Sequence, residues 1–347
     1  MPSLSVIMPC HNRAYDLPRV LDAYDNQRGS PAFELIAVDD GSTDQTQEIL
    51  SSYKPKNFVL VPIRQEQNRG PAAARNKGIA LSSAPLLVFA GDDVCPDPYF
   101  VSGHLAAHRY DPRPETAFLG KIAWPEDLPI NTVMKHIEGL GAEQFSYYYL
   151  RDGRQYDFRH FYTANISIKR DLLDTQTKWF DEEFPYAVFE DIELSYRLSQ
   201  AGMRIIYSAV LVGFHYHYHN IWTFTNRHFR AGLMACQVAR KQPRTTRYLL
   251  GRNWRMHLLQ LRLRSVLSQA PEHSIEDLED QMLHAVSRFE WTPHPLLDRL
   301  YLRLFSYFYF KGMIFGLVSN ESLAEKLSNV HANRALPPLI SRVSKWV

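Results

Sequence analysis

Over the first hundred positions the hydrophobic residues come in short runs, SVIMP, FELIAVDD, FVLVPIR and PLLVFAGDD. Between these runs lie segments whose apolar positions recur at helical spacing: Asp16 to Asp25, Thr43 to Tyr53 and Pro71 to Ser82. Strands that are apolar throughout are buried on both faces. Their alternation with helices predicts βαβ units and a mostly parallel sheet covered on both sides. Ser42-Thr43-Asp44 supplies capping side chains for the second helix. The stretch from Thr116 to Arg170 is less regular and rich in aromatics, with Asn165 to Lys169 reading as a short strand. Phe189 to Ala201 has amphipathic helical spacing and ends at Gly202, a suitable residue just past a helix end; the apolar run RIIYSAVLVGF follows. Beyond about Ile221 the strand signals stop and helical spacing takes over. The pattern predicts an α/β domain over residues 1–220 and a helical region over 221–347.

Composition narrows the class. With 347 residues, 45% of them hydrophobic and 22% charged, the chain has the make-up of a globular protein with a sizeable core. The net charge of +2 points to no partner by itself, but its distribution is uneven. Ile221 to Ala270 holds no Asp or Glu, while Arg227, Arg230, Arg240, Lys241, Arg244, Arg247, Arg252, Arg255, Arg262 and Arg264 fall inside it. Such a stretch suits a peripheral contact with anionic lipid or a solvated helical face. A nucleic-acid partner is not expected, because no binding motif accompanies the modest charge. Cys10, Cys95 and Cys236 are too sparse for a disulfide framework or a zinc pattern and fit a reducing compartment. LSVIMP near the start is a strand rather than a secretory leader. The longest apolar stretch, Leu300 to Val318, is broken by Arg303 and Lys311, which argues against a membrane span. The expected location is cytoplasmic, with peripheral contact at the inner face of a membrane left open.

Acidic residues gather where strands should end. Asp39 and Asp40 close the second run, and Asp92 and Asp93 close the fourth. Open parallel sheets bind ligands beyond the carboxyl ends of their strands. Two acidic pairs there make a carboxylate-lined crevice that a divalent cation and phosphate oxygens would neutralise. Asp-Asp-Gly-Ser taken alone reads equally as a turn followed by a helix cap. NRGPAAARNKG, residues 68–78, is a loop entering an Ala-rich helix, and its N-terminus could receive phosphate. In HYHYH, the alternation of His215, His217 and His219 sets all three on one face if the segment is extended. The aromatics between Tyr147 and Tyr162 suit either stacking on a sugar or packing in a core.

In this order, SVIMPCHNR, AVDDGSTD, NRGPAAARNKG, FAGDDVCPDPYF, TANISIKR, FDEEF and FEDIELSYRLSQAGMRIIY resemble the family 2 glycosyltransferases, over roughly residues 3–220. The resemblance implies an A-type glycosyltransferase fold and inverting transfer of a sugar from a nucleotide-sugar, a UDP-sugar foremost, to a hydroxyl of a glycan or lipid-linked acceptor. It implies that Pro9, Asn12, Asp40, Arg75, Asp92 and Glu190 bind the nucleotide-sugar, with Asp40 toward the base. Asp93 would hold Mn²⁺ or Mg²⁺, with His215, or His217 after it, near the metal or diphosphate. Asp191 would deprotonate the acceptor hydroxyl. The setting it suggests is polysaccharide or glycan assembly. One departure is that Gly91 stands where the family's Asp-x-Asp motif has its first acid.

Other classes share parts of this pattern. A dinucleotide-dependent oxidoreductase needs G-x-G-x-x-G after the first strand, where this chain has PCHNRAYD. A sugar nucleotidyltransferase would share the crevice but release pyrophosphate. A catalytically impaired nucleotide-sugar-binding protein would follow if Gly91 disables the motif.

Overall fold

A computed structural model of the chain describes residues 2–139, 147–245 and 272–318. The N-terminal elements are β1 (Ser5–Cys10), α1 (Leu17–Asp25), β2 (Glu34–Asp40), α2 (Thr46–Ser52), β3 (Val59–Gln65), α3 (Pro71–Leu81) and β4 (Leu86–Ala90). They are followed by β5 (Val94–Pro96), α4 (Phe100–Tyr110), β6 (Thr116–Ala123), α5 (Thr132–Glu138), β7 (Gln155–Tyr156), β8 (Asn165–Lys169), α6 (Arg170–Leu173), α7 (Glu190–Gln200) and β9 (Arg204–His215). The remaining described helices are α8 (Ile221–Lys241), α9 (Glu272–Ser287) and α10 (Leu297–Val318).

The strands form one sheet in the order β3-β2-β1-β4-β8-β6-β9-β5, with β7 paired to β9. β3, β2, β1 and β4 run parallel, as their continuous apolar runs predict. β8 enters antiparallel between β4 and β6, and β6 pairs parallel with β9. Each face of the sheet buries its own core. Ile7, Val38, Phe89, Ile166 and Leu194 lie in one, and Val6, Met8, Leu21, Leu35 and Val88 in the other. Phe89 meets Phe180 edge-on at 5.3 Å, tying β4 to the segment that leads into α7. Emptying such a site by Phe→Ala costs about 3–5 kcal/mol.

Three local differences from the sequence pattern have physical causes. α2 begins at Thr46 rather than Thr43, because Asp44 folds back to accept hydrogen bonds from Thr46 N (3.0 Å) and Ala14 N (3.0 Å). α7 begins at Glu190, and Phe189 just before it adopts a left-handed φ of 70°. α4 and β6 carry no clear pattern, since Gly103 interrupts one and Gly120-Lys121 the other. At Gly120/Lys121 the register between β6 and β9 slips. The Asn165 amide donates to Lys121 O (3.0 Å) and Leu211 O (2.8 Å), bridging the irregularity. The last residue of β9, His215, then pairs with Val94, one position beyond Asp93.

α8 and α10 pack together through Phe224, Phe229 and Leu233 against Tyr301, Phe305 and Phe308. Asn220 caps α8 in a reciprocal box with Thr223. In the described part of the acid-free stretch, Lys241 pairs with Asp181 (2.5 Å) and Glu183 (2.8 Å). Arg240 donates to Gly316 O (2.6 Å), and Arg230 lies 4.7 Å from the centre of the Tyr186 ring. Arg247, Arg252, Arg255, Arg262 and Arg264 lie outside the described residues. Among the described residues no helix is long and apolar enough to cross a membrane.

Candidate active site

The carboxyl ends of β1, β2 and β4 open into a cavity of about 390 Å³. Its wall is completed by the start of α3, the first turn of α7, the segment after β9 and Arg227 from α8. Of the residues singled out from sequence, Pro9, Asp40, Arg75, Asp92, Asp93, Glu190, Asp191 and His215 all line it. Asn12 lies beside this wall rather than in it. With φ 53°, it accepts a hydrogen bond from Thr43 N (2.8 Å) and joins the loop after β1 to the loop after β2.

The first pair of acids orders the loops. Asp39 is fully buried, accepting from Ser42 N (2.9 Å) and pairing with Arg64 (2.9 Å). Asp40 accepts from Gln65 Nε2 (2.7 Å), Arg69 N (2.8 Å) and Gly70 N (2.8 Å). Burial raises its carboxyl pKa, and the hydrogen bonds from Arg69 and Gly70 oppose the rise. Gly41 turns the chain with φ 68°, and a Cβ there would sit 2.6 Å from Asn68 N. Asp40 therefore shapes the loop ahead of α3.

The second pair belongs to a charged cluster. Asp93 Oδ2 lies 3.0 Å from His217 Nδ1, and Asp93 Oδ1 lies 3.3 Å from His215 Nε2. One ligand atom from each of the three residues falls within 4.8 Å of the others, a donor set suited to a divalent ion. Arg13, which the sequence pattern does not single out, donates to Asp92 Oδ1 (3.1 Å) and Asp93 Oδ2 (2.8 Å). Burial pushes the Asp93 carboxyl up, but His215 and Arg13 outweigh it and hold the group well below the usual carboxylate range. Asp92 goes the other way, to about 6, through burial and the charge of Asp93 despite Arg13. The two neighbouring carboxylates thus differ sharply in their readiness to hold charge.

His219, 4% exposed, stands at 4.5 Å between ring centres from His217, and neither of its ring nitrogens has a hydrogen-bond partner among the described residues. Burial, then repulsion from His217 and His215, keeps it neutral. At Gly91 a Cβ would lie 3.0 Å from Asp93 Oδ1, so the turn is built around the missing side chain.

The first turn of α7 forms another part of the wall. Glu190, 1% exposed, pairs with Arg75 at 2.7 Å. Its second oxygen, Oε2, and Arg75 Nε have no partner among the described residues. Asp191 accepts from the amide of its neighbour, Ile192 N, at 2.8 Å. Burial and then the charge of Glu190 raise its carboxyl to about 7, against the pull of Arg75 and Arg227. Phe189 reaches this position through a left-handed backbone that costs a bulky residue about 1–3 kcal/mol. Arg227 lines the cavity and makes no hydrogen bond or ion pair among the described residues. Burial lowers its pKa, and Asp191 and Glu190 offset part of that. In the sequence it is visible only as one cation of the acid-free stretch, because α8 brings it over the cavity from a distant part of the chain.

A sequence profile described as "Glycosyl transferase family 2" matches residues 5–175. Over this segment the chain is similar to glycosyl transferase family 2. Relatives include validoxylamine A glucosyltransferase from Streptomyces hygroscopicus subsp. limoneus, 32% identical over 231 residues, covering 58% of this chain and 49% of that protein. Hyaluronan synthase from Pasteurella multocida is 29% identical over 227 residues, covering 57% of this chain and 23% of the synthase. The chain thus spans about half the length, or less, of these two relatives. Among solved structures, mannosyltransferase PcManGT from Pyrobaculum calidifontis, in complex with GDP-Man and Mn²⁺, aligns with a TM-score of 0.60 at 17% identity, over 92% of this chain and 88% of that one. S. aureus TarS 1–349 in complex with UDP aligns at 0.52 and 15% identity, over 97% and 93%. At such identities the likeness concerns the fold, which is the A-type glycosyltransferase fold expected from sequence.

Proposed function

We propose that this chain transfers a sugar from a nucleoside-diphosphate sugar to an acceptor hydroxyl with inversion at the anomeric carbon. The observation that carries the reading is a single cavity holding the Asp93–His215–His217 cluster and, in the same wall, an Asp191 carboxyl raised to about 7. A group that titrates near neutrality is suited to take a proton during the reaction and release it afterwards. In the proposed step the acceptor oxygen bonds to the anomeric carbon, the bond from that carbon to the diphosphate oxygen breaks, and the acceptor proton passes to Asp191. Arg227 is the cation available to the departing diphosphate, with Arg75 held by Glu190 close by. Pro9 and the loop ordered by Asp40 and Asn12 lie where the nucleotide would be received.

The donor set of one carboxylate and two imidazoles fits Mn²⁺, or Mg²⁺ with lower preference, because imidazole favours transition-metal ions. When bound, such an ion would neutralise charge on the diphosphate. Asp93, His215 and His217 would hold it. The Mn²⁺ and GDP-Man of the mannosyltransferase and the UDP of TarS support both a metal and a nucleotide-sugar here. We assign the catalytic domain to residues 1–220 and the helical region to 221–347, with α8 lending Arg227 to the site. The relatives' names support a role in glycoside or glycan assembly.

A panel of UDP-sugars and GDP-mannose, with Mn²⁺, tests the reading by thermal stabilisation and then by turnover. A cognate donor at about 100 times its Kd should stabilise the fold by about 2.7 kcal/mol, and the product should show the inverted anomer by NMR. Absence of stabilisation by every nucleotide-sugar would refute the transferase. Pyrophosphate release from a nucleoside triphosphate and a sugar phosphate would replace it with a nucleotidyltransferase.

A further inference from the structure

A second cavity, of about 350 Å³, adjoins the first. Its lining comes from β6, α5, β9 and the short 3₁₀ turn at Tyr147–Tyr149. One side chain, His215, lines both cavities. Trp124 stacks on that imidazole with 5.5 Å between ring centres and 11° between planes. The indole N–H donates to Met134 O at 3.2 Å, which fixes the ring's orientation. The aromatic stretch divides its labour here. Tyr147 packs against Tyr162 and Tyr207 in the sheet's core, while Tyr148 stays 52% exposed at the cavity. Among the described residues that line this space, Lys121, Glu138 and Asp152 carry charge. Asp152 Oδ1 accepts a hydrogen bond from Ala209 N at 2.7 Å.

We propose that this cavity is the acceptor subsite and that it receives the ring of an uncharged sugar or cyclitol. The inference rests on the transferase reading and adds the acceptor's chemical class to it. A pyranose or cyclitol ring presents a C–H face and a rim of hydroxyls. Trp124 and Tyr148 match the first, and the three charged side chains match the second by hydrogen bonding. Among the described residues two carboxylates stand against one ammonium, which disfavours a phosphate-bearing acceptor. The shared His215 also puts a bound ring directly beside the Asp93 cluster, where a hydroxyl meets the donor. The volume lies within the range of small-molecule sites, about 300–1,000 Å³.

The test uses Tyr148→Ala and Glu138→Gln, two exposed positions outside the donor cavity, and a probe panel of methyl glycosides, disaccharides and myo-inositol. Binding is read by saturation-transfer NMR with UDP and Mn²⁺ present, and UDP affinity is read separately by calorimetry. At least one ring probe should bind saturably to the unaltered protein. It should bind about fivefold more weakly to Tyr148→Ala and about threefold or more weakly to Glu138→Gln, with UDP affinity unchanged in both variants. Ring probes that fail while UDP binds, or that bind both variants as well as the unaltered protein, would overturn the acceptor assignment alone. Failure of UDP itself to bind the unaltered protein would overturn the transferase reading and this assignment with it.

Discussion

Replacing Asp191 with Asn separates the catalytic and the structural consequences of one carboxyl. In the folded chain burial and the neighbouring charge of Glu190 move this group from 3.8 to about 7. Below 3.8 it is protonated in both folded and unfolded chains and costs nothing. Above about 7 the folded chain must hold a charge that the unfolded chain leaves in water, so the cost is complete there and absent in acid. At about 1.4 kcal/mol per pKa unit the ceiling is about 4 kcal/mol. Sharing with Glu190 and partial access to water reduce it to about 1–2 kcal/mol. Asn keeps an oxygen for Ile192 N, so the helix start is preserved. Asp191→Asn should therefore lose about 10²–10⁴-fold in turnover. It should unfold at higher temperature than the unaltered protein at about pH 8 and at nearly the same temperature at about pH 4. In the unaltered enzyme kcat/KM should rise with pH through about 7, with about a tenth of the base ionised at pH 6. Calorimetry at the two pH values and a donor-saturated rate assay check this. Full turnover, or equal stabilisation in acid and in base, would contradict a buried base at this position.

Three further substitutions probe the rest of the wall. Arg13→Gln removes the cation between Asp92 and Asp93. The metal-free protein should lose about 1–2 kcal/mol, while Mn²⁺ affinity, read by electron paramagnetic resonance, should rise because the guanidinium no longer competes for Asp93 Oδ2. Arg227→Ala should leave the melting temperature unchanged or higher and raise the KM for the nucleotide-sugar about tenfold, as expected for one charge-assisted hydrogen bond of ~1.5–3 kcal/mol; an unchanged KM would exclude it from diphosphate binding. Gly91→Asp restores the family's motif on paper but sets a Cβ 3.0 Å from Asp93 Oδ1. Mn²⁺ affinity should fall in that variant, and a gain would show that the turn relaxes.

Much of the site is legible because its residues follow directly on predicted strands. Once SVIMP, FELIAVDD and PLLVFAGDD are strands of one parallel sheet, their carboxyl ends must lie together, and Pro9, Asp40, Asp92 and Asp93 with them. Glu190-Asp191 is recognisable through the resemblance of its surroundings, not through periodicity. Asn12, singled out through the same resemblance, joins two loops through its amide beside the cavity wall. α4 and β6 have no readable pattern because glycine and lysine interrupt their apolar positions, and only packing within the sheet supplies the missing preference.

Period and burial are local properties of the chain, so the pattern of residues alone sets which N-terminal segments become strands and helices and which acids end those strands. Which charges meet is settled by the long-range fold instead. Arg13 reaches across to Asp92 and Asp93, His217 joins Asp93 through the pairing of β5 with β9, and Arg227 enters from α8. Such meetings depend on strand order, a register slip and the crossing of distant helices. The electrostatic energies they set fall off over a few ångströms, a scale that spacing along the chain does not encode.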